Sequence, residues 1–131
     1  MPFPIKENYI QRTETTLGLI FPASYRMKMQ MENGGEVSTV DDDWRLFPFF
    51  DSSDAKRASR TCNDLIKEGK NALSTSGFPQ NGVAIGENDA GDYLVFIQTN
   101  GDTLPEEVFL WRHETRQLEM VAKSFQEFTQ K

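Results

Sequence analysis

Three kinds of side chain in this sequence could do chemistry: clustered carboxylates, a single histidine and a single cysteine. The carboxylates fall into two groups, Asp41, Asp42 and Asp43, then Glu87, Asp89 and Asp92. Consecutive aspartates in an extended chain point to alternate faces, so residues 41–43 make a poor chelate. Residues 87–92 have the carboxylate density of a calcium loop. They lack its alternating spacing and the bidentate Glu at the twelfth position. Paired carboxylates also cleave glycosidic bonds, but no groove of exposed aromatic residues is signalled beside these. His113 would need a nucleophile and an orienting acid to act as a base, and no motif supplies them. Cys62 recurs with the apolar residues of a helical stretch and is expected to pack there. One His and one Cys cannot assemble the usual structural zinc site. No glycine-rich loop carries the Lys and Ser/Thr of a phosphate cradle. The expectation is no catalytic residue, no metal and no cofactor, which leaves the carboxylates for recognition.

Where the charge sits sharpens this. The 131 residues carry a net charge of −6. Between Glu32 and Asp54 seven carboxylates face Arg45 alone, and between Asn71 and Trp111 six carboxylates face no Lys or Arg. Each stretch is thus −6, and the remainder must be +6. Acid is concentrated in loops and strands, base in the expected helices. Nucleic acid is disfavoured as a direct partner, because phosphate binding depends mainly on Lys and Arg. A basic protein partner is favoured. Trp44, directly after the three aspartates, is the one large aromatic beside an acidic cluster. It is either a contact anchor or a core residue.

The elements that must position these groups follow from periodicity. Residues 5–17 read as an amphipathic helix with Ile5, Tyr9, Thr13 and Leu17 at i+4 steps, stopped by Gly18. Pro22 opens a second helix with Tyr25 and Met29 on one face, ended by Asn33-Gly34-Gly35. Val37 to Val40 reads as a short strand, interrupted by the aspartates and resumed by residues 44–47. Ser53 or Asp54 caps a long helix through Ala58, Cys62, Leu65, Ile66, Ala72 and Leu73, with Gly69 a possible early end. A Ser, Gly and Pro loop follows. From Val83 the pattern is a meander: residues 83–86, the central run Tyr93-Leu94-Val95-Phe96-Ile97, then 107–113 and 117–122. The central run is apolar on both alternate faces, as a covered strand requires. Ser124 and Glu127 have capping-box spacing, so the chain should end in a short helix with Phe125 and Phe128 turned inward. The fold class is α+β: N-terminal helices on a mainly antiparallel or mixed sheet of about five to six strands, within a single domain over 1–131. One cysteine excludes an internal disulfide, and the N-terminus has no signal-peptide run. No segment approaches the roughly 18 apolar residues of a membrane span. The expected setting is the cytoplasm.

The order of motifs resembles the SUKH superfamily, which includes the yeast cell-wall-synthesis regulator and many bacterial relatives. Residues 17–25, LGLIFPASY, are similar to the leucine–glycine, proline and tyrosine that lead into its second helix. Asn33-Gly34-Gly35 matches the helix-ending turn, Trp44 with Leu46 the tryptophan strand, and Gly91-Asp92-Tyr93 the start of the central strand. The motifs cover residues 5–98. Lys28 departs from a commonly apolar position, and residues 49–82 match no motif. The resemblance implies a non-enzymatic protein-binding domain. Bacterial relatives commonly act as immunity proteins that neutralise toxin domains, often nucleases. On that basis Asp41, Asp42, Asp43, Glu87, Asp89 and Asp92 would meet Lys or Arg of a basic toxin, and Trp44 would supply an aromatic anchor. The alternatives are a regulatory scaffold of the fungal type and a small hydrolase.

Overall fold

The computed structural model describes residues 3–39 and 42–129. Helix α1 (Glu7–Leu17) stops at Gly18, whose φ of 72° is left-handed and whose N–H donates to Glu14 O at 2.8 Å. A residue with a Cβ resists that conformation. The buried stripe of α1 is Ile10, Thr13 and Glu14, not the expected i+4 series. The helix begins later than the periodicity suggests because Ile5 N–H is committed to Gln30 O at 3.1 Å, holding the chain extended. Leu17 is left at the surface. Buried Glu14 accepts from Phe21 N–H at 2.8 Å and lies 3.2 Å from Arg26 Nε, tying the helix to the next segment.

Helix α2 (Ala23–Met31) buries Tyr25 and Met29, as its pattern requires. Lys28 departs from the family pattern for a structural reason. Its ammonium group folds over the helix end, donating to Glu32 O at 3.0 Å and to Gly34 O. Burial pulls its pKa below the ordinary lysine value, against the opposing pull of Glu32. Asn33 then clamps the chain: its amide donates to Phe49 O and its Oδ1 accepts from Phe49 N–H, both at 2.8 Å.

The strands are β1 (Glu36–Ser38), β2 (Asp43–Leu46), β3 (Gly82–Glu87), β4 (Tyr93–Ile97), β5 (Val108–Arg112) and β6 (Gln117–Ala122). They pair in sequence order, and every pairing is antiparallel. Among the described residues the one parallel contact is an isolated bridge, Ile20 to Thr103. The sheet is the expected antiparallel meander, with six strands. Strand β4 lies inside it, with Leu94, Val95 and Phe96 fully buried. One sheet face packs through Phe96 against a ring cluster of Phe21, Tyr25, Phe49 and Phe125, with centroids 5.1–6.3 Å apart. On the other, Phe78 covers Tyr93 and Trp111 at 5.7 and 5.2 Å.

Tyr25 carries a hydroxyl into this apolar cluster and, among the described residues, finds no hydrogen-bond partner for it. Burial raises its pKa well above the ordinary phenol value, so it stays neutral. Removing an unpaired buried hydroxyl relieves its desolvation cost. Tyr25→Phe should therefore raise the unfolding free energy by about 1 kcal/mol, read from urea denaturation midpoints.

The expected single long helix is two: α3 (Ala55–Arg60) and α4 (Leu65–Leu73). Residues 61–64 leave the helical path because the chain is tied to the preceding loop. Asp51 N–H donates to Thr61 Oγ1 at 2.9 Å, and Leu65 N–H to Pro48 O at 2.8 Å. Asp54 and Asp64 each cap a helix, accepting from Arg57 and Lys67 N–H at 2.7 and 2.9 Å. Cys62 falls in the break and is exposed, so it does not pack as expected. Gly69 stays inside α4. A short α5 (Gln126–Thr129) closes the described chain with Phe125 fully buried. The expected capping box does not form: α5 begins at Gln126, and Glu127 reaches past Ser124 to accept from Lys123 N–H at 2.5 Å.

Candidate functional site

The strand register builds one row of side chains across all six strands. Glu36 opposes Arg45, Arg45 opposes Glu87, Glu87 opposes Tyr93, Tyr93 opposes Trp111, and Trp111 opposes Leu118. Directly opposed residues share a face. The row is charged and open on β1–β3, aromatic and covered on β4–β5, and apolar again at the β6 edge.

The charged third holds most of the expected contact residues. Asp43 lies two positions before Arg45 on β2, and Asp89 two positions beyond Glu87, its antiparallel partner. Both therefore leave the same end of the sheet. Asp43 and Asp89 are exposed, and Asp42 and Glu87 half-buried. Asp41 lies outside the described residues. Asp43 Oδ1 accepts from Ser38 Oγ at 2.6 Å, which steadies the β1–β2 turn. Glu87 pairs with the exposed side chain of Arg45. Beside this pair is an open cleft of about 440 Å3 that also takes in Phe47, Arg60, Asn63 and Glu68. The rim and cleft together present Glu36, Asp42, Asp43, Glu68, Glu87 and Asp89 against Arg45 and Arg60.

Two expected contact residues are turned inward. Trp44 is fully buried, its indole N–H donating to Thr39 Oγ1 at 3.0 Å. Alternation on β2 sends it to the core face, opposite Val37, while Asp43 and Arg45 face out. It holds the strand that carries the aspartates and cannot be a contact anchor. Asp92 is likewise only 6% exposed. Its Oδ1 accepts from His113 N–H at 3.0 Å and lies 2.7 Å from His113 Nδ1. Its Oδ2 accepts from Asn88 Nδ2 at 3.1 Å, with Arg112 Nη1 at 3.6 Å. Burial alone would raise this pKa. The hydrogen bonds from His113 and Asn88 outweigh it and hold the carboxyl below the usual range. Asn88 Oδ1 in turn accepts from Ala90 and Asp92 N–H at 3.0 and 2.9 Å. Gly91, at φ +94°, makes the reversal possible.

The side-chain oxygens of Asn88 and Asp92 are occupied by hydrogen bonds within the turn and from His113. Among the described residues no three His, Cys, Asp or Glu side chains are grouped to hold a metal. His113 does have an orienting acid, in Asp92, which sequence spacing did not signal across 21 residues. Its Nε2 faces Glu114 Oε1 at 4.0 Å. The arrangement can orient an imidazole and brace β4 against β5.

A family model for the SMI1 / KNR4 family (SUKH-1) matches residues 4–131, nearly the whole chain. The chain belongs to that family. No curated protein and no solved structure matches it. The motifs that carry the SMI1/KNR4 resemblance have structural work in this fold. Gly18 stops α1, Asn33 clamps the turn after α2, Trp44 anchors β2, and Asp92 organises the turn before β4. Glu36, Asp43 and Asp89, which those motifs flank, supply exposed carboxylates.

Proposed function

We propose that the chain is a non-enzymatic protein-binding domain, one unit over residues 1–131, that works in the cytoplasm as an immunity protein. It neutralises a toxin domain with a basic, nuclease-like surface by covering that surface with the acidic sheet end. Asp41, Asp42, Asp43, Glu87 and Asp89 meet the partner's Lys and Arg, while Trp44 and Asp92 position the segments that carry them. The observation that carries this is the Arg45–Glu87 register, which brings two acidic segments, distant in sequence, to one end of the sheet. Opposed potentials of this kind speed encounter and select partners. Membership of a family whose members bind proteins supports the same reading. No helix among the described residues is long and apolar enough to cross a membrane.

The experiment is co-expression with candidate basic toxin domains, with any encoded in genes adjoining this chain's own tried first. Restored growth together with co-purification is the expected result. Survival of the toxin's lethality beside abundant folded protein would contradict it. Arg45 offers a finer test. Its side chain is 67% exposed, so its pair with Glu87 contributes little to stability. As a resident cation it competes with the partner's. Arg45→Ser should tighten binding about three- to ten-fold and leave the melting temperature nearly unchanged, by calorimetry and thermal denaturation.

A further inference from the structure

The opposite end of the sheet order carries a second surface, made from different residues. Strand β6 is the last of the six, so its outer N–H and C=O groups pair with no strand among the described residues. Gln117, Leu118, Glu119 and Met120 are all exposed, Leu118 to 42% and Met120 to 51%. Their register partners show why this matters. Leu118 continues the row through Tyr93 and Trp111, and Met120 the row through Val95 and Phe109. Two apolar rows thus run out of the core and end in solvent. Exposed edges are usually blunted by charged residues, Pro or bulges; β6 has no Lys or Pro, and its one charge, Glu119, lies on the face opposite Leu118 and Met120.

We propose that this edge pairs antiparallel with the same edge of a second copy, about a two-fold axis through Leu118. In such a pair the residue on the axis meets itself. Glu119 on the axis would set carboxylate against carboxylate. An axis at Val121 is spoiled by the irregularity there: Ala122 pairs with Val108 and Met120 with Phe109, leaving Val121 extra. Leu118 on the axis joins the Leu118 rows of the two copies, leucine against leucine, and sets Met120 opposite Arg116 of the second copy, whose aliphatic stem can lie along it. It also sets Glu119 opposite Gln117 of the second copy, on the face where Gln117 opposes Arg112. Arg112 of each copy then lies one strand beyond Gln117 from the other's Glu119, and the polar face is charge-complementary. A second copy thus matches this edge along the Leu118 row and in the placing of Glu119 near Arg112.

Sedimentation velocity over a wide concentration range tests this. The expected result is a reversible dimer that Leu118→Lys weakens about thirty-fold or more, without altering the circular dichroism spectrum of the fold. In a Cys62→Ser background, Leu118→Cys should form a disulfide-linked dimer on mild oxidation much faster than Val121→Cys. A monomer at every concentration overturns the proposal. So does a dimer indifferent to Leu118→Lys, or one that cross-links through position 121 in preference to 118.

Discussion

Asp92→Ala is expected to lower the unfolding free energy by about 3 kcal/mol, on the order of 10 °C in melting temperature. The substitution removes the acceptor for His113 N–H, its ring and the Asn88 amide. It leaves these donors facing a site that water reaches poorly, since Asp92 is only 6% exposed. The turn between β3 and β4 loses its centre, and β5 loses its brace. The pH dependence carries the sign that separates this account from simple loss of volume. The carboxyl's pKa is lowered in the folded protein, so its contribution is present above the unfolded value of about 4. That contribution is lost as pH falls through the folded value. Denaturation curves of wild type and Asp92→Ala should therefore lie far apart at neutral pH and converge in acid. A gap that stays constant down to strongly acidic pH would contradict the charge-assisted knot.

Much of the fold was legible in the sequence because its signals are local. The stop at Gly18, the Tyr25–Met29 face, the Asn33 turn and the unbroken run from Tyr93 to Ile97 each declare themselves within a few residues. The breaks that escaped notice depend on distant partners. Cys62 keeps helical spacing with Ala58 and Leu65, yet the helix parts there because Pro48 O and Asp51 N–H capture its neighbours. Ile5 keeps spacing with Tyr9, yet Gln30 O holds it outside α1.

The candidate site divides in the same way. That Asp43 and Asp89 share an end of the sheet rests on the β2–β3 pairing, across forty residues of intervening chain. That Trp44 faces the core follows from strand alternation once Asp43 and Arg45 are known to face out. The composition of the Asp92 turn was legible, but its closure by His113 was not, because a single histidine has no spacing to read. Arg45, counted as the lone base of its segment, is the residue whose pairing with Glu87 reveals the register.

The second large effect concerns the partner. Asp42→Asn, Asp43→Asn and Asp89→Asn together remove three carboxylates from the open end of the sheet. The side chains of Asp43 and Asp89 are exposed, so the fold should tolerate the change. Each lost ion pair with a desolvated partner cation weakens binding, and the three share one surface. If the proposed function holds, affinity for the basic toxin partner should fall about 100-fold or more, with much of the change in the association rate. Wild-type binding should also weaken steeply between about 50 and 300 mM salt, while the triple variant responds little. Calorimetric titration of that toxin domain with wild-type and triple-variant protein at both salt concentrations is the most direct measurement. The predicted result is a large, salt-sensitive loss confined to the wild-type contacts. Equal affinities for the two proteins, insensitive to salt, would show that the negative end of the sheet is not where the partner docks.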